Sequence, residues 1–342
     1  MSNLFDRLQW RDPMTGAPMT PIVATRTPAG VPIHGALRID GTNHGYPIVD
    51  CVVRATPELA RRYADWLAPF GLQPPPEREG AFQTEETVES FGFQWSWNAG
   101  MRSEKDLQWR VASRFQVAPE EFADKLVLDA GAGAGDQSRW ISGRGASVVS
   151  VDLSSAIEVV ARKLRMQPEW VGVQGDITAL PFANDQFDLV YCEGVIQHTR
   201  DSAMTVGELL RVLRRDGRLL ATHYSSATSM LGRMRIGLIM GLRKRLSRMD
   251  RYKLLFVTGV LAALAYFPGL RYLMRRSGAA SYYDLMPDFK STWTNTFDSY
   301  GNHAYQRVIP PETFWGYFDK TAGAERILSD RSGIVVARKT KD

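Results

Sequence analysis

The sequence predicts an α/β fold built on a mainly parallel sheet, with a small strand-rich module before it and a helical insertion near its end. Three observations predict it. From residue 80 to 225, short apolar runs alternate with helical periodicity, as crossover connections between parallel strands require. The first clear run ends in an acid and a glycine-rich turn, LVLDAGAGAG, and the next run ends in a second acid, Asp152. Of the 342 residues, 44% are hydrophobic and 23% charged, which excludes wholesale disorder and a coiled coil. The only cysteines are Cys51 and Cys192, which excludes a disulfide framework and a cysteine-rich zinc site. The opening MSNLFDRLQWRDP has no apolar stretch like that of a signal peptide, which points to the cytoplasm.

Five stretches follow in order. Residues 1–57 are rich in Pro, Gly and Thr, with short apolar runs at Gly35–Ile39 and Tyr46–Val53 that read as strands joined by turns. Residues 58–110 start as a helix, PELARRYADWLAPFGL, pass through a Gln73–Pro76 linker and lead to pre-domain helices. Residues 111–225 are the core. Residues 226–285 are a basic and apolar helical insertion after the fifth strand. Residues 286–342 hold a helix, PPETFWGYF, and a last strand, SGIVVAR.

Within the core, Leu126–Leu128 leads into Asp129 and then Gly131, Gly133 and Gly135, where the backbone can turn sharply and approach a ligand. The second strand, Ser147–Val151, ends in Asp152, 17 residues after Gly135. A carboxylate at that tip can accept hydrogen bonds from both hydroxyls of a ribose. Trp170–Val173 leads into GDITALPF, which sets Asp176 to accept from an exocyclic adenine amine and Ile177 against the ring. QFDLVYCEGVIQHT gives a fourth strand from Asp188. LLRVLRRDGRLLATHYS gives a helix, a turn at Asp216-Gly217 and a fifth strand.

Together these motifs resemble the class I S-adenosylmethionine-dependent methyltransferases of the small-molecule and lipid type, over about residues 125–225. The resemblance implies a Rossmann-like seven-stranded sheet and the cofactor S-adenosyl-L-methionine, with S-adenosyl-L-homocysteine as product. It implies that Asp129, Gly131, Gly133 and Gly135 line the methionine end. Asp152 and Leu153 would hold the nucleoside, with Asp176 and Ile177 at the adenine. A dinucleotide-binding oxidoreductase is the competitor, but the glycines lack its G-x-G-x-x-G spacing.

Two upstream segments carry weaker likenesses. TEETVESFGFQWSW (Thr84–Trp97) looks like the helix that lies over the cofactor pocket in related methyltransferases, where Phe91, Gln94 and Trp95 would wall the site or simply pack the helix on the sheet. DPMTGAPM and GYPIVDCVVRAT resemble a zinc-ribbon-like module without its cysteine pair, and with Cys51 where that module has Gly. Only His34, His44 and Cys51 are left as ligands, fewer than the usual four, so a degenerate module without metal is expected.

The charge is concentrated. Ser226–Arg276 holds eleven Lys or Arg and one Asp, or +10, and the remaining 31 basic and 36 acidic residues give −5. The insertion therefore suits a local anionic partner such as a membrane surface, and no nucleic acid is expected. Leu254–Leu270 runs 17 residues without a charge but contains Pro268. At about 1.5 Å per residue it barely reaches across a bilayer core of roughly 30 Å. A lid, an interfacial anchor at the inner membrane face and a transmembrane helix all stay open.

Downstream, WTNTFDSYGNHAYQ offers Trp293, Asn295, Asp298, Tyr300, His303, Tyr305 and Gln306 as acceptor contacts; the alternative is a polar loop held by its own bonds. Methyl transfer depends mainly on positioning. If the acceptor is a hydroxyl, a base helps, and His198, His223, His303 and Glu193 are candidates. Glu193 is also placed for the cofactor's amino group. Cys192 reads as core. The sequence thus points to methyl transfer onto a small or lipid-like acceptor, at a hydroxyl oxygen. The alternatives are a soluble acceptor (at O, N, S or C) under a lid, or a silent cofactor-binding scaffold.

Overall fold

The computed structural model describes residues 3–76, 102–226, 230–246, 248–270, 272, 289–300 and 307–340. Eleven strands are found among them: β1 Met19–Arg26, β2 Pro32–Ile39, β3 Gly45–Val49, β4 Val52–Arg54, β5 Leu126–Ala130, β6 Ser147–Asp152, β7 Trp170–Gln174, β8 Phe187–Cys192, β9 Leu213–Thr222, β10 Ala324–Ser329 and β11 Ile334–Lys339. The helices are α1 Leu4–Arg7, α2 Pro57–Arg62, α3 Glu104–Val111, α4 Asp136–Ser142, α5 Ile157–Leu164, α6 Ser202–Val212, α7 Met230–Leu246, α8 Arg251–Tyr266, α9 Phe289–Tyr300 and α10 Pro311–Asp319.

The strands form one sheet in the order β1-β2-β3-β4-β7-β6-β5-β8-β9-β11-β10. The last seven of these make the expected α/β core: β5 to β9 run parallel, and β11 lies antiparallel to both β9 and β10. Alternate residues feed opposite faces. Leu128, Val190 and Leu219 join one buried cluster, and Val127, Leu189 and Leu220 join the other. Both faces are covered, which is why the strands read as nearly continuous apolar runs.

The N-terminal strands are not a separate sheet. Antiparallel β1–β4 extend the core sheet, because β4 pairs parallel with β7, Val52 opposite Gly172. The boundary at residue 57 thus marks a change of pattern, not a break. The apolar run Tyr46–Val53 folds back on itself at Asp50-Cys51, whose φ values of 52° and 69° make the two-residue turn between β3 and β4. Cys51 takes a left-handed conformation there. His34 stacks on Trp66, His44 Nδ1 lies 3.0 Å from the Pro74 carbonyl oxygen, and Cys51 is buried in the core; among the described residues no metal-binding cluster forms.

Two expected elements come out differently. The helix expected from residue 58 ends at Arg62 and continues as short 3₁₀ turns, Ala64–Trp66 and Ala68–Phe70. Pro69 lacks an N–H, and its ring would clash with the carbonyl four residues back. The turn expected at Asp216-Gly217 lies inside β9, where Arg214–Gly217 stand opposite the single Asp188 of β8 and Asp216 has φ 60°. Among the described residues of the insertion after the fifth strand are two helices, α7 and α8, and α9 opens the segment that follows it. Among the described residues, no helix is long and apolar enough to cross a membrane.

Candidate active site

The C-terminal ends of β5 and β8 meet where the strand order reverses, and the acids Asp129, Asp152, Asp176 and Glu193 lie at the ends of β5, β6, β7 and β8. In an open α/β sheet this crevice is where ligands bind. Asp129 is buried and accepts a 2.5 Å hydrogen bond from Ser138 Oγ. Burial pushes its carboxyl up to about 7; the Ser138 bond opposes the rise, and the charges of Asp152 and Glu193 add to it.

The glycine loop is pinned from three sides. The N–H groups of Gly131 and Ala132 both donate to the Val151 carbonyl, at 2.8 and 2.9 Å. Gly133 N–H donates to Asp152 Oδ2 at 2.8 Å. Lys163 Nζ donates to the Ala134 carbonyl and to Asp136 Oδ1, both at 2.7 Å. At Gly131, with φ 87°, a Cβ would lie 2.2 Å from Val195, and at Gly135, with φ 76°, 2.8 Å from Val160. Side chains are excluded at both positions by conformation and by space.

Asp152 Oδ1 accepts from Ser154 N–H and Oγ, at 2.8 and 2.6 Å. Burial raises its pKa, against the hydrogen bonds from Ser154 and Gly133. Asp176 Oδ1 accepts from Thr178 N–H and Oγ1, both at 2.8 Å, which leaves Oδ2 for an outside donor. Its pKa is also raised by burial, with Thr178 opposing. Ile177 is buried beside it, and the Leu153 carbonyl accepts from Gln174 Nε2 at 3.1 Å.

Glu193 is clamped. Its Oε1 meets Arg110 at 2.8 Å and Arg114 at 2.7 Å, and its Oε2 accepts from Tyr191 Oη at 2.6 Å. Burial alone would raise its carboxyl; Arg114, Arg110 and Arg102 outweigh it and hold it well below the usual carboxylate range. A carboxylate stabilised this strongly is a weak base. His223 lies just past β9, with Nδ1 3.0 Å from the Tyr224 carbonyl oxygen, so Nδ1 carries the proton and donates. Nε2 then faces Ser202 Oγ at 3.4 Å. Burial pulls its pKa down to about 4; the Tyr224 carbonyl opposes this and Arg307 adds to it. This histidine is neutral and packed on Phe314, again a poor base. His198 ends the 3₁₀ turn Ile196–His198 after β8, buried edge-on to the Tyr224 ring at 5.6 Å. Cys192 is buried core, and burial raises its thiol.

Residues 128–221 match the family model of the methyltransferase domain. The chain is 31% identical to the demethylmenaquinone methyltransferase of Thermobifida fusca (strain YX) over 187 residues, which cover 52% of this chain and 76% of that protein. The chain belongs to the class I S-adenosylmethionine-dependent methyltransferases. It is also 36% identical to the demethylmenaquinone methyltransferase of Clavibacter sepedonicus over 122 residues, covering 35% of this chain and 49% of that one. A malonyl-[acyl-carrier protein] O-methyltransferase of Enterobacter lignolyticus is 40% identical over 117 residues, covering 34% and 46%. The chain thus spans about half the length of most of these relatives.

The residues present fit the methyltransferase cofactor. Asp152 uses three of its roughly four lone-pair sites internally, so one ribose hydroxyl can bind directly and a second requires a Ser154 contact to yield. The free oxygen of Asp176 suits an amine donor.

Of the expected acceptor contacts, Trp293 sits on α9. Its Nε1 donates to the Leu255 carbonyl at 3.0 Å and its ring covers Gly259, so helix packing accounts for its position. Tyr300 ends α9. The segment 289–300 is thus a helix rather than a polar loop. Phe91, Gln94, Trp95, His303, Tyr305 and Gln306 lie outside the described residues, as do the side chains of Asn295 and Asp298.

Sequence reasoning missed two features. Gln197 follows β8 with its side chain fully buried, and among the described residues neither Oε1 nor Nε2 has a hydrogen-bond partner. Its Nε2 is 3.8 Å from where a Cβ on Gly194 would stand. Such a group costs about 1–3 kcal/mol unless something binds it. No spacing rule marks a glutamine beside a histidine; only burial does. Arg54 is the second. It is buried, ion-paired to Glu158 at 2.6 Å and donates to Gln174 Oε1 at 2.7 Å. Since Gln174 holds Leu153, the N-terminal strands brace the ends of β6 and β7.

Proposed function

We propose that the chain transfers a methyl group from S-adenosylmethionine to a small or lipid-like acceptor, at a hydroxyl oxygen. The observation that carries the acceptor side is the buried, unpartnered carboxamide of Gln197 at the end of β8. When bound, the cofactor supplies an activated methyl on a sulfonium. Asp152 and Leu153 hold its nucleoside, and Asp176 and Ile177 hold the adenine. Asp129 with Gly131, Gly133 and Gly135 lines the methionine end, where an ionised Asp129 balances the sulfonium charge. Arg102 and Arg110 pair with Asp106, and Arg110 and Arg114 hold Glu193, which faces the ligand's amino group. Gln197 fixes the acceptor's polar group with one donor and one acceptor. His198, which follows β8 directly after Gln197, takes the hydroxyl proton. His303 stays a candidate of the same kind. The rest of catalysis is alignment at near-attack distance.

The test combines calorimetric titration of the purified chain with S-adenosylmethionine, native mass spectrometry, and extraction of any retained molecule. Cofactor binding with a retained hydroxylated lipid supports the reading, and transfer of a labelled methyl to that molecule completes it. Cofactor binding with no retained lipid shifts the acceptor to a soluble molecule under a lid. No cofactor binding overturns the proposal.

A further inference from the structure

The helix α8 has two unlike faces. Leu254, Thr258 and Ala262 are buried, and Trp293 of α9 donates to the Leu255 carbonyl. The opposite line, four residues apart, is Tyr252, Phe256, Val260 and Leu264, exposed by 67%, 72%, 45% and 55%. Exposed Phe267 and Leu270 continue the apolar surface beyond the helix. At about 1.5 Å per residue the line is roughly 18 Å long. Scattered exposed apolar residues need no explanation, but an aligned stripe of this size marks an interaction surface.

The charge around it selects the partner. Lys244, Arg245, Arg248 and Lys253 are exposed at the start of the stripe, Asp250 is the one acid in the sequence Ser226–Arg276, and it caps α8 through the N–H groups of Tyr252 and Lys253. Outside residues 226–276 the chain carries −5. A second copy would bring the same cations against these, so self-association through this end is opposed. A helix too short to cross a bilayer, apolar on one face and basic at one end, is suited to lie in the interface of an anionic membrane.

We propose that the Tyr252–Leu264 face of α8 inserts into the headgroup–acyl boundary of an anionic lipid surface, with Lys244, Arg245, Arg248 and Lys253 against the phosphates. The cations supply the attraction to an anionic surface, and burial of the stripe adds the hydrophobic part. The inference concerns the surface and does not depend on the acceptor.

The test is co-sedimentation of the full chain with phosphatidylcholine vesicles, with and without phosphatidylglycerol, at low and high salt. Binding is expected with phosphatidylglycerol, weaker in salt. The pair Phe256→Glu and Leu264→Glu, exposed positions whose replacement leaves cofactor binding and melting temperature unchanged, should weaken it at least about tenfold. Reversal of Lys244, Arg245 and Arg248 to Glu should remove the preference for anionic vesicles. A Val260→Trp variant should show a blue-shifted emission, quenched by brominated acyl chains. No binding at low salt, or binding indifferent to the Glu pair, overturns the proposal. So does a dimer in light scattering that the Glu pair dissolves, since the face would then belong to a second copy.

Discussion

The sheet edge and the insertion use burial in opposite ways. At the ends of β5 to β8, four carboxylates are driven into the interior and each is held by named donors. In α8, Phe256, Val260 and Leu264 are left in water while Leu254, Thr258 and Ala262 are buried. Both arrangements run against the ordinary preference of polar groups for water and apolar groups for the interior. The difference teaches where each ligand would come from. The edge is preorganised for a polar, charged molecule entering a crevice. The insertion leaves an apolar line facing outward, which is the feature behind the proposed lipid contact.

The largest expected effect breaks the edge. Asp152→Ala removes the ribose acceptor and strands Gly133 N–H and Ser154, so S-adenosylmethionine affinity should fall at least about 100-fold in calorimetry, and product formation with it. Next is the brace. Arg54→Ala removes a buried partner of Glu158 and Gln174 and should cost about 3 kcal/mol in urea unfolding. It should also weaken the cofactor through Leu153. If affinity is unchanged, the N-terminal strands stabilise without bracing the pocket.

The third is a pH dependence. Asp129 titrates near 3.9 in an unfolded chain and at about 7 in the folded one. The folded state therefore keeps a proton that the unfolded chain has lost, and this group's contribution to stability falls as pH rises from about 4 to 7 and then levels. A sulfonium beside Asp129 favours the ionised form. Affinity for S-adenosylmethionine should thus rise about tenfold from pH 6 to 8, with proton release below 7. S-adenosylhomocysteine, without the sulfonium charge, should show a smaller rise, and Asp129→Asn none.

The fourth has opposite signs for activity and stability. Gln197→Leu removes an unpaired buried amide, so the melting temperature should rise, by about 1 kcal/mol in stability. The acceptor's KM should rise about tenfold while cofactor affinity holds. A fall in both stability and cofactor affinity would make Gln197 a packing residue. The smallest effect sharpens the insertion. Val260→Asp, on the exposed line, should change stability by less than about 0.5 kcal/mol, whereas Ala262→Asp, fully buried two residues on, should destabilise severely.

Much of the edge was legible in the sequence. The strand tips at Asp129, Asp152 and Asp176 could be placed because strand periodicity and the glycine spacing are local, and the topology that joins them follows from crossover rules. Glu193 was legible as a position but not as a chemical state. Its three arginines come from α3 and the residues around it, 79 to 91 positions earlier, which no spacing links to it. The same holds for Trp293, whose aromatic character was plain and whose use, covering Gly259, was not.

The sequence alone determined the α/β core, its family and its charge division, since these depend on local pattern and composition. The tertiary structure decided three things. Strands β1–β4 join the core sheet, because pairing of β4 with β7 connects residues over 100 positions apart. The base candidates separate, because burial and ion pairs move Glu193 and His223 away from neutral pKa in ways that depend on distant groups. And α8 exposes Phe256, Val260 and Leu264 while Leu254, Thr258 and Ala262 are buried, because a helix's apolar face is assigned by what packs against it, here with Trp293 of α9 on Leu255 and Gly259.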